Sequence, residues 1–420
     1  MKKVAILTDF VSHDPAYSLC GVVANQVKML SEYKPKLLVR KGFSANGAYV
    51  GAEIRVLNPG RIGNNQVNVT DQSESEINTL RGQMFSELED IDVVLTHDLI
   101  YQPNMWKYHV AARRVAKDLP GLKWLHWVHS STEMGTIGQV GRFSDDLQGA
   151  FPNSVLVVMH SEEFNRKGKL YGYEVDEIVT VPNPLDLTEG YHPAAREMIQ
   201  VGELHKADVV AVYPARLDRG KQVEVIIDIF RELNRQGWDA RVVIVDFHST
   251  AGDKADYRKE LTKQAWEGNP ETPIYFTSVV TAHIDKDFAY HIPHKAVMDL
   301  LEYSDIFVHP SRSESDPLTV SEAAWKRCGL VLNYDLPVFR LWEGGALLYK
   351  FSSNIDVTTG LPGTTETEYQ DRGAYMAEVA GGIAYIMQAN PVLANHVRIR
   401  KERSLEAVWS RHLWPAIEGG

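Results

Sequence analysis

The stretch Asp305-Ile306-Phe307-Val308-His309-Pro310-Ser311-Arg312-Ser313-Glu314-Ser315-Asp316-Pro317-Leu318-Thr319-Val320-Ser321-Glu322-Ala323-Ala324 decides the fold. An apolar strand, Ile306 to His309, runs into a polar loop, and a helix starts near Pro317 to Thr319. This is one strand-to-helix step of an open α/β sheet, in which ligands lie beyond the carboxyl ends of the strands. The helix start offers free amide donors and a partial positive charge, a ready receptor for phosphate. Glu314 stands in the loop and Glu322, eight residues on, in the first turns of the helix. A carboxylate accepts two hydrogen bonds from vicinal hydroxyls, which both riboses and hexoses carry.

The same rhythm runs outward in both directions. Short Val/Ile/Leu runs alternate with longer amphipathic stretches, the pattern of a parallel sheet covered by helices. Strands are expected at Val4–Thr8, Lys36–Arg40, Val93–Thr96, Trp124–Val128, Val155–Met159 and Ile178–Val181, and again from Val209–Pro214 through Leu347–Tyr349. Turn-rich sequence from Asn183 to Pro193 breaks the rhythm and places a linker at about residues 184–205. The expectation is an α/β chain with a domain at residues 1–190, a second at 205–390 and a C-terminal helical segment at 391–420. A helix from Pro391 to Trp414 would pack Leu393, Val397, Leu405, Val408 and Trp409 on one face and leave the basic run Arg398 to Arg403 in solvent.

Composition bounds the function. The 420 residues exceed one ordinary core. Apolar residues at 44% and charged ones at 24% describe a soluble globular chain. A net charge of −11 argues against a general nucleic-acid binder, which needs a basic surface; only the Arg113-Arg114 neighbourhood and a few lysines offer local attraction. Cys20 and Cys328 cannot build a disulfide framework or zinc site and suit reduced thiols in the cytoplasm. The apolar run that begins at Val4 ends at Asp9, too short for a signal peptide, and no stretch approaches a membrane span. No Gly-x-Gly-x-x-Gly follows the first strand and no phosphate-binding loop of the Gly-x-x-x-x-Gly-Lys-Ser/Thr type occurs. Asp145-Asp146, with no strand leading into it, reads as surface loop rather than a metal site.

A second segment, Val212-Tyr213-Pro214-Ala215-Arg216-Leu217-Asp218-Arg219-Gly220-Lys221, ends a strand and offers Arg216 and Lys221 at a helix start. Two such cations neutralise a leaving diphosphate; solvated surface charges are the plainer alternative.

The Glu314–Glu322 segment resembles the Glu-x7-Glu signature of glycosyltransferase family 4, and Val212 to Lys221 resembles that family's Gly-Arg-Leu…Lys-Gly element. The resemblance spans nearly the whole chain and is specific mainly over residues 210–225 and 305–325. It implies the GT-B fold: two Rossmann-like doubly wound domains, the first on the acceptor side and the second binding the nucleotide sugar, with a cleft between them and a C-terminal helix crossing back on the first. It implies a retaining transferase that uses a nucleoside-diphosphate sugar, most often of uridine, with no metal or other cofactor. Carried over residue by residue, Glu314 contacts the donor sugar, Glu322 the ribose, and the backbone around Asp316, Leu318 and Thr319 the sugar and diphosphate. Arg216 and Lys221 stabilise the leaving group. The sequence reads Glu-Ser-Asp-Pro where the family has Glu-Gly-Phe-Gly, so Pro317 cannot donate an amide. Ser18 to Val23 is similar to the family's first glycine loop, with Gly21 approaching the donor phosphate; a plain turn glycine is the alternative. Trp124 to His129 ends a strand with the histidine that the family places near the donor sugar. His129 is preferred to His126, which falls inside the strand as core, and His97 is a further strand-end candidate. The aromatic stretch Phe288 to His291, with His294 and Lys295, is placed either against the nucleotide base or over the core.

The acceptor stays open among polysaccharide, lipid, protein and modified DNA. Leu7 to Ser18 is similar to glycosyltransferases encoded by bacteriophages, which raises a hydroxymethylated base as one acceptor. A non-catalytic nucleotide-sugar-binding protein and a sugar phosphorylase of the same fold are the alternative functions.

Overall fold

The computed structural model describes residues 2–60, 67–129, 139–247, 254–351, 369 and 371–419. The chain divides into two compact units, the first comprising Met1–Asp186 with Glu402–Gly420, the second Leu187–Lys401.

The first unit holds a seven-stranded sheet. Its strands are β1 (Val4–Leu7), β2 (Lys36–Arg40), β3 (Glu53–Leu57), β4 (Val93–His97), β5 (Lys123–Trp127), β6 (Ser154–Val158) and β7 (Ile178–Thr180). They pair in parallel in the order β3-β2-β1-β4-β5-β6-β7. Its longer helices are α1 (Ser18–Met29), α2 (Ser73–Leu88), α3 (Trp106–Asp118) and α4 (Phe164–Tyr171). Alternation along the strands feeds two cores. Ala5 and Leu7 join Leu80 and Met84 of α2 and Tyr108 of α3 on one face. Val4 and Ile6 join Val23 and Val27 of α1 on the other. With both faces covered, the strands read as unbroken apolar runs. The edge strand β3 differs: Ile54 and Val56 are exposed, so it carries no such run and escapes the sequence analysis.

Residues 402–420 complete this unit. Val408, Leu413 and Ile417 enter the core beneath α1. The Lys123 ammonium donates to the Ala416 carbonyl at 2.8 Å, and the Leu185 amide donates to the Arg403 carbonyl at 2.7 Å.

The second unit holds a six-stranded parallel sheet in the order β10-β9-β8-β11-β12-β13. The strands are β8 (Val209–Arg216), β9 (Ala240–Phe247), β10 (Ile274–Phe276), β11 (Ile306–His309), β12 (Gly329–Asn333) and β13 (Ala346–Tyr349). The helices are α5 (Pro193–Val201), α6 (Val223–Arg235), α7 (Lys254–Trp266), α8 (Thr277–Val280), α9 (His294–Tyr303), α10 (Leu318–Trp325), α11 (Pro337–Arg340), α12 (Arg372–Ala389) and α13 (Pro391–Arg403). Both units thus carry a doubly wound α/β sheet, the expected class. Among the described residues no helix is long and apolar enough to cross a membrane.

Three readings need correction. Residues 193–201 are a helix rather than linker: the His192 ring accepts the Ala194 amide, Pro193 takes the first turn, and Ala194, Ala195, Met198 and Ile199 enter the second core. His192-Pro193, turn-forming in sequence, cap a helix here rather than continue a linker. The helix from Pro391 does not reach Trp414. It stops at Arg403 because the Ser404 hydroxyl accepts the Ala407 amide at 3.2 Å and starts a new turn. Leu393 and Val408 therefore pack in different cores. Nor is the whole basic run a solvated face: Arg398 and Glu402 are exposed, but Arg400 turns inward. Arg400 is fully buried and donates to both oxygens of Asp305, at 3.0 and 2.8 Å, and to the Ala207 carbonyl. Burial pushes the Asp305 carboxyl up, but the Arg400 charge and the hydrogen bonds of His396 and Arg400 hold it below the usual carboxylate range.

Breaking this pair strands a buried charge. Arg400→Met is expected to cost about 3–5 kcal/mol in urea unfolding. Arg400→Met/Asp305→Asn is expected to recover part of that loss, which separates the uncompensated charge from lost packing.

Candidate active site

In the second sheet the strand order reverses between β8 and β11: β9 and β10 lie outside β8, β12 and β13 outside β11. Loops leaving two such strands diverge and open a crevice at their carboxyl ends. The loop after β8 carries Arg216, then a 3₁₀ turn Arg219–Lys221. The loop after β11 carries Glu314 and leads into α10. The Arg312 amide donates to the Gly220 carbonyl at 2.9 Å and ties the loops together. Gln222, buried with φ at 53°, reaches from the turn to the Pro310 and Phe351 carbonyls.

These ties bring Lys221 onto Glu314, its ammonium donating to Oε1. The same oxygen accepts Nε2–H of His309 at 3.1 Å. Burial opposes ionisation of Glu314, yet the hydrogen bonds from His309 and Lys221 outweigh it and hold the carboxyl at about 2. Burial pushes the His309 imidazole down despite Glu314, so it serves as a neutral donor and Lys221 supplies the charge. Glu322 lies on α10 and meets Nε2 of His294 at 2.8 Å. The Leu318 and Thr319 amides open α10 with no partner among the described residues, while Pro317 caps it without donating. Asp316 is exposed in the loop.

Arg216 is not drawn into the cluster. Its side chain is exposed, and the nearest carboxylate oxygen is that of Asp218 at 3.5 Å. Arg219, not singled out from sequence, is held by Glu260. His309 and Gln222 were missed as well. His309 carried one usable signal, its place at the end of a strand, shared with His97; Gln222 carried none.

The first unit positions the other expected residues. Gly21 lies in the first turns of α1, and a Cβ there would meet nothing within 4 Å, so the fold itself does not require glycine. His129 follows β5, and its Nε2 lies 2.9 Å from Nδ1 of His97, the two rings stacked. Nε2 of His97 lies 2.8 Å from Oε1 of Gln26. The amide oxygen only accepts, so His97 donates from Nε2 and accepts at Nδ1 from Nε2–H of His129. That leaves a lone pair on Nδ1 of His129. Burial lowers both imidazoles, that of His129 to about 4, where the Lys167 charge adds to the effect. His126 is fully buried against Thr96, the core role expected of it. Arg113 and Arg114, the local basic neighbourhood, are engaged by protein groups. Arg113 is spent on the carbonyls of residues 148–150 and Arg114 on Glu74 and Asp146. Phe288 packs edge-on against His192, and Tyr290 lies under the Lys254 ammonium.

Residues 195–332, from α5 to β12, match the family model described as glycosyl transferases group 1. No curated relative matches the chain. Among solved structures, similar chains include Anabaena Alr3699/HepE in complex with UDP and glucose, 14% identical, with 98% of each chain covered and a TM-score of 0.35. An E. coli trehalose-6-phosphate structure bound with UDP-2-fluoro glucose is 13% identical, with 99% of each chain covered and a TM-score of 0.36. A UDP-forming α,α-trehalose-phosphate synthase from Burkholderia xenovorans is 13% identical, with 97% of each chain covered and a TM-score of 0.33.

The depressed Glu314 carboxyl makes stability depend on pH. A carboxyl lowered by folding stabilises above its unfolded value of about 4.5, and the contribution fades as pH falls toward about 2. The urea-stability gap between wild type and Lys221→Met is therefore expected to be full above about pH 4.5 and to narrow below it. A gap that stays constant through that range would show that Lys221 acts by packing alone.

Proposed function

We propose that the protein is a retaining glycosyltransferase that moves a sugar from a nucleoside-diphosphate sugar, with uridine as the base, to an acceptor hydroxyl. The observation that carries this reading is the Lys221–Glu314–His309 cluster, set beside the α10 amides at the strand reversal and inside the region matching glycosyl transferases group 1. Lys221 and the exposed Arg216 neutralise the diphosphate, together with the amides of Leu318 and Thr319. Glu314, kept ionised by its neighbours, accepts hydrogen bonds from the sugar hydroxyls, and Glu322 accepts those of the ribose. In the free protein Lys221 pairs with Glu314. Donor binding gives the ammonium a phosphate and releases carboxylate capacity to the sugar.

From the first unit, Gly21 leaves room for phosphate, and the lone pair on Nδ1 of His129 accepts a sugar hydroxyl. The acceptor oxygen bonds to the anomeric carbon on the face from which the diphosphate departs. The carbon–oxygen bond to the β-phosphate breaks, and a departing phosphate oxygen takes the hydroxyl proton. Protein groups contribute orientation and electrostatics. Arg216 and Lys221 carry the leaving-group charge in this scheme, with no metal or further cofactor assigned. The setting is cytoplasmic, with Cys20 and Cys328 both free and buried.

A thermal-shift screen of UDP-, GDP- and ADP-sugars tests the donor, since a bound ligand raises the melting temperature. UDP-glucose or another UDP-sugar is expected to stabilise the wild type, and no shift with any nucleotide sugar would sink the reading. Arg216→Ala is expected to lower turnover of the stabilising donor by about 100-fold or more while the melting temperature of the free protein holds. A donor that stabilises but never turns over, in wild type or variant, would identify a binding protein instead. Gly21→Val is expected to fold normally, given the open space there, and to lose the donor-induced shift.

A further inference from the structure

A buried cation of the first unit has no part in the chemistry proposed above. Lys167 lies on α4 with its side chain buried. Taking an ammonium out of water is costly unless it is paired and hydrogen-bonded. Lys167 has both kinds of partner: it donates to the Val128 carbonyl at 2.8 Å and pairs with Glu163, one helical turn back, at 2.9 Å. Burial pushes the Glu163 carboxyl up, but Lys167 and Arg166 hold it below the usual carboxylate range. A pair with Glu163 could form at the surface; the bond to Val128 is what requires the ammonium inside.

The paired stretch of β5 ends at Trp127, opposite His97 of β4 and Val157 of β6. The Val128 amide still reaches the Val157 carbonyl, at 3.1 Å. The Val128 carbonyl lies where the ladder stops, and Lys167 takes the place of a strand donor. The other half of the same peptide unit, the His129 amide, donates to the Asp98 carboxylate. One peptide plane is thus held at its oxygen by α4 and at its nitrogen by the residue that follows β4. The helix is closely seated in turn: a Cβ on Gly168 would meet the Tyr173 carbonyl at 2.8 Å. The peptide cannot rotate without losing a buried hydrogen bond, and it leads directly into His129, whose ring stacks on that of His97.

Resting on the transferase reading, we infer that Lys167 is a positioning residue: its ammonium fixes the Val128–His129 peptide and so aims the His129 ring at the donor sugar. An apolar residue at 167 would pack the helix equally well but leave the Val128 carbonyl buried without this donor. The same charge acts on the ring. It adds to burial in lowering the His129 imidazole to about 4, which keeps the Nδ1 lone pair free to accept a hydroxyl. The titratable groups facing His129 are His97 and Asp98 at the end of β4 and Lys167 on α4. Burial keeps His97 neutral. Asp98, raised by burial and further by Asp9 to about 6, is ionised at neutral pH. Lys167 supplies the positive charge.

The test compares Lys167→Met, Lys167→Gln and Lys167→Arg in the full chain. Methionine keeps the aliphatic stem alone, glutamine keeps a donor without charge, and arginine keeps both. Turnover of the UDP-sugar that stabilises the wild type is measured well below each variant's melting temperature. The His129 ring is followed by NMR of labelled histidine, its signal assigned by its loss in His129→Gln. Lys167→Met is expected to lower kcat by about tenfold or more, the cost of a misaimed group, and to move the His129 titration upward. Lys167→Arg is expected to restore both, and Lys167→Gln to restore part of the rate but not the titration. A wild-type rate or an unmoved titration in folded Lys167→Met would overturn the inference, whatever the loss in melting temperature, and leave the transferase reading standing. If Lys167→Met does not fold, an unmoved titration in Lys167→Gln overturns it in the same way. Absence of turnover in the wild type with every nucleotide sugar, with the titration still moved by Lys167→Met, would instead remove the transferase reading and leave the hold of Lys167 on the ring.

Discussion

A parallel strand can reach its neighbour only through a crossover, and crossovers cannot go on stacking to one side of the first strand without leaving its other edge bare. Each sheet here resolves this by reversing once, between β1 and β4 in the first unit and between β8 and β11 in the second. At a reversal the two loops diverge, and the gap they leave lets side chains at the carboxyl ends of the strands face a ligand-sized space. The chemistry-bearing residues follow from that constraint. Lys221 and Glu314 stand at one reversal, Asp9 and Asp98 at the other. The two reversals differ in lining: the first places Asp9, Asp98 and Arg40 about its crevice, while the second sets Lys221 against Glu314 ahead of the helix that starts at Leu318.

The second reversal is anchored from behind. Asp305, at the foot of β11, accepts the Val210 amide of β8 at 2.9 Å with one oxygen and the fully buried Arg400 with both. The pair therefore holds the two strands together at the end remote from the site. Their other ends are joined by the backbone bond from Arg312 to Gly220 and by Gln222. With both ends fixed, Glu314 and Lys221 meet without a long search of side-chain conformations, which is what electrostatic preorganisation requires.

Much of this was legible because the signals were local. Ile306 to His309 followed by a polar loop and helix is a pattern contained in twenty residues, and the apolar runs at Val209–Pro214 and Leu347–Tyr349 likewise lie in strands. What the sequence hid was non-local or ambiguous in sign. Glu53 to Leu57 form a strand only because β2 lies alongside, since the exposed edge needs no apolar run. Arg400 looks like any helical surface cation until Asp305, 95 positions away, is placed against it. Gln26 fixes the tautomers of His97 and His129 from 71 residues upstream of His97, and an isolated glutamine carries no mark of that duty. Strand-end histidines, by contrast, could be nominated, and the structure joins His97 and His129 where sequence could only rank them.

The return of the chain to the first unit bears on the order in which the protein is made. Residues 187–401 form a contiguous unit and are all available as soon as Lys401 has left the ribosome. The first unit, although synthesised earlier, waits for Val408, Leu413 and Ile417 to cover its α1 face and for the Ala416 carbonyl to receive the Lys123 ammonium. Until then the nascent chain holds an apolar surface open during the whole translation of the second unit. The customary sequence, with the amino-terminal domain finished first, is thereby inverted. A stalled or shortened product would lose the domain that was translated first.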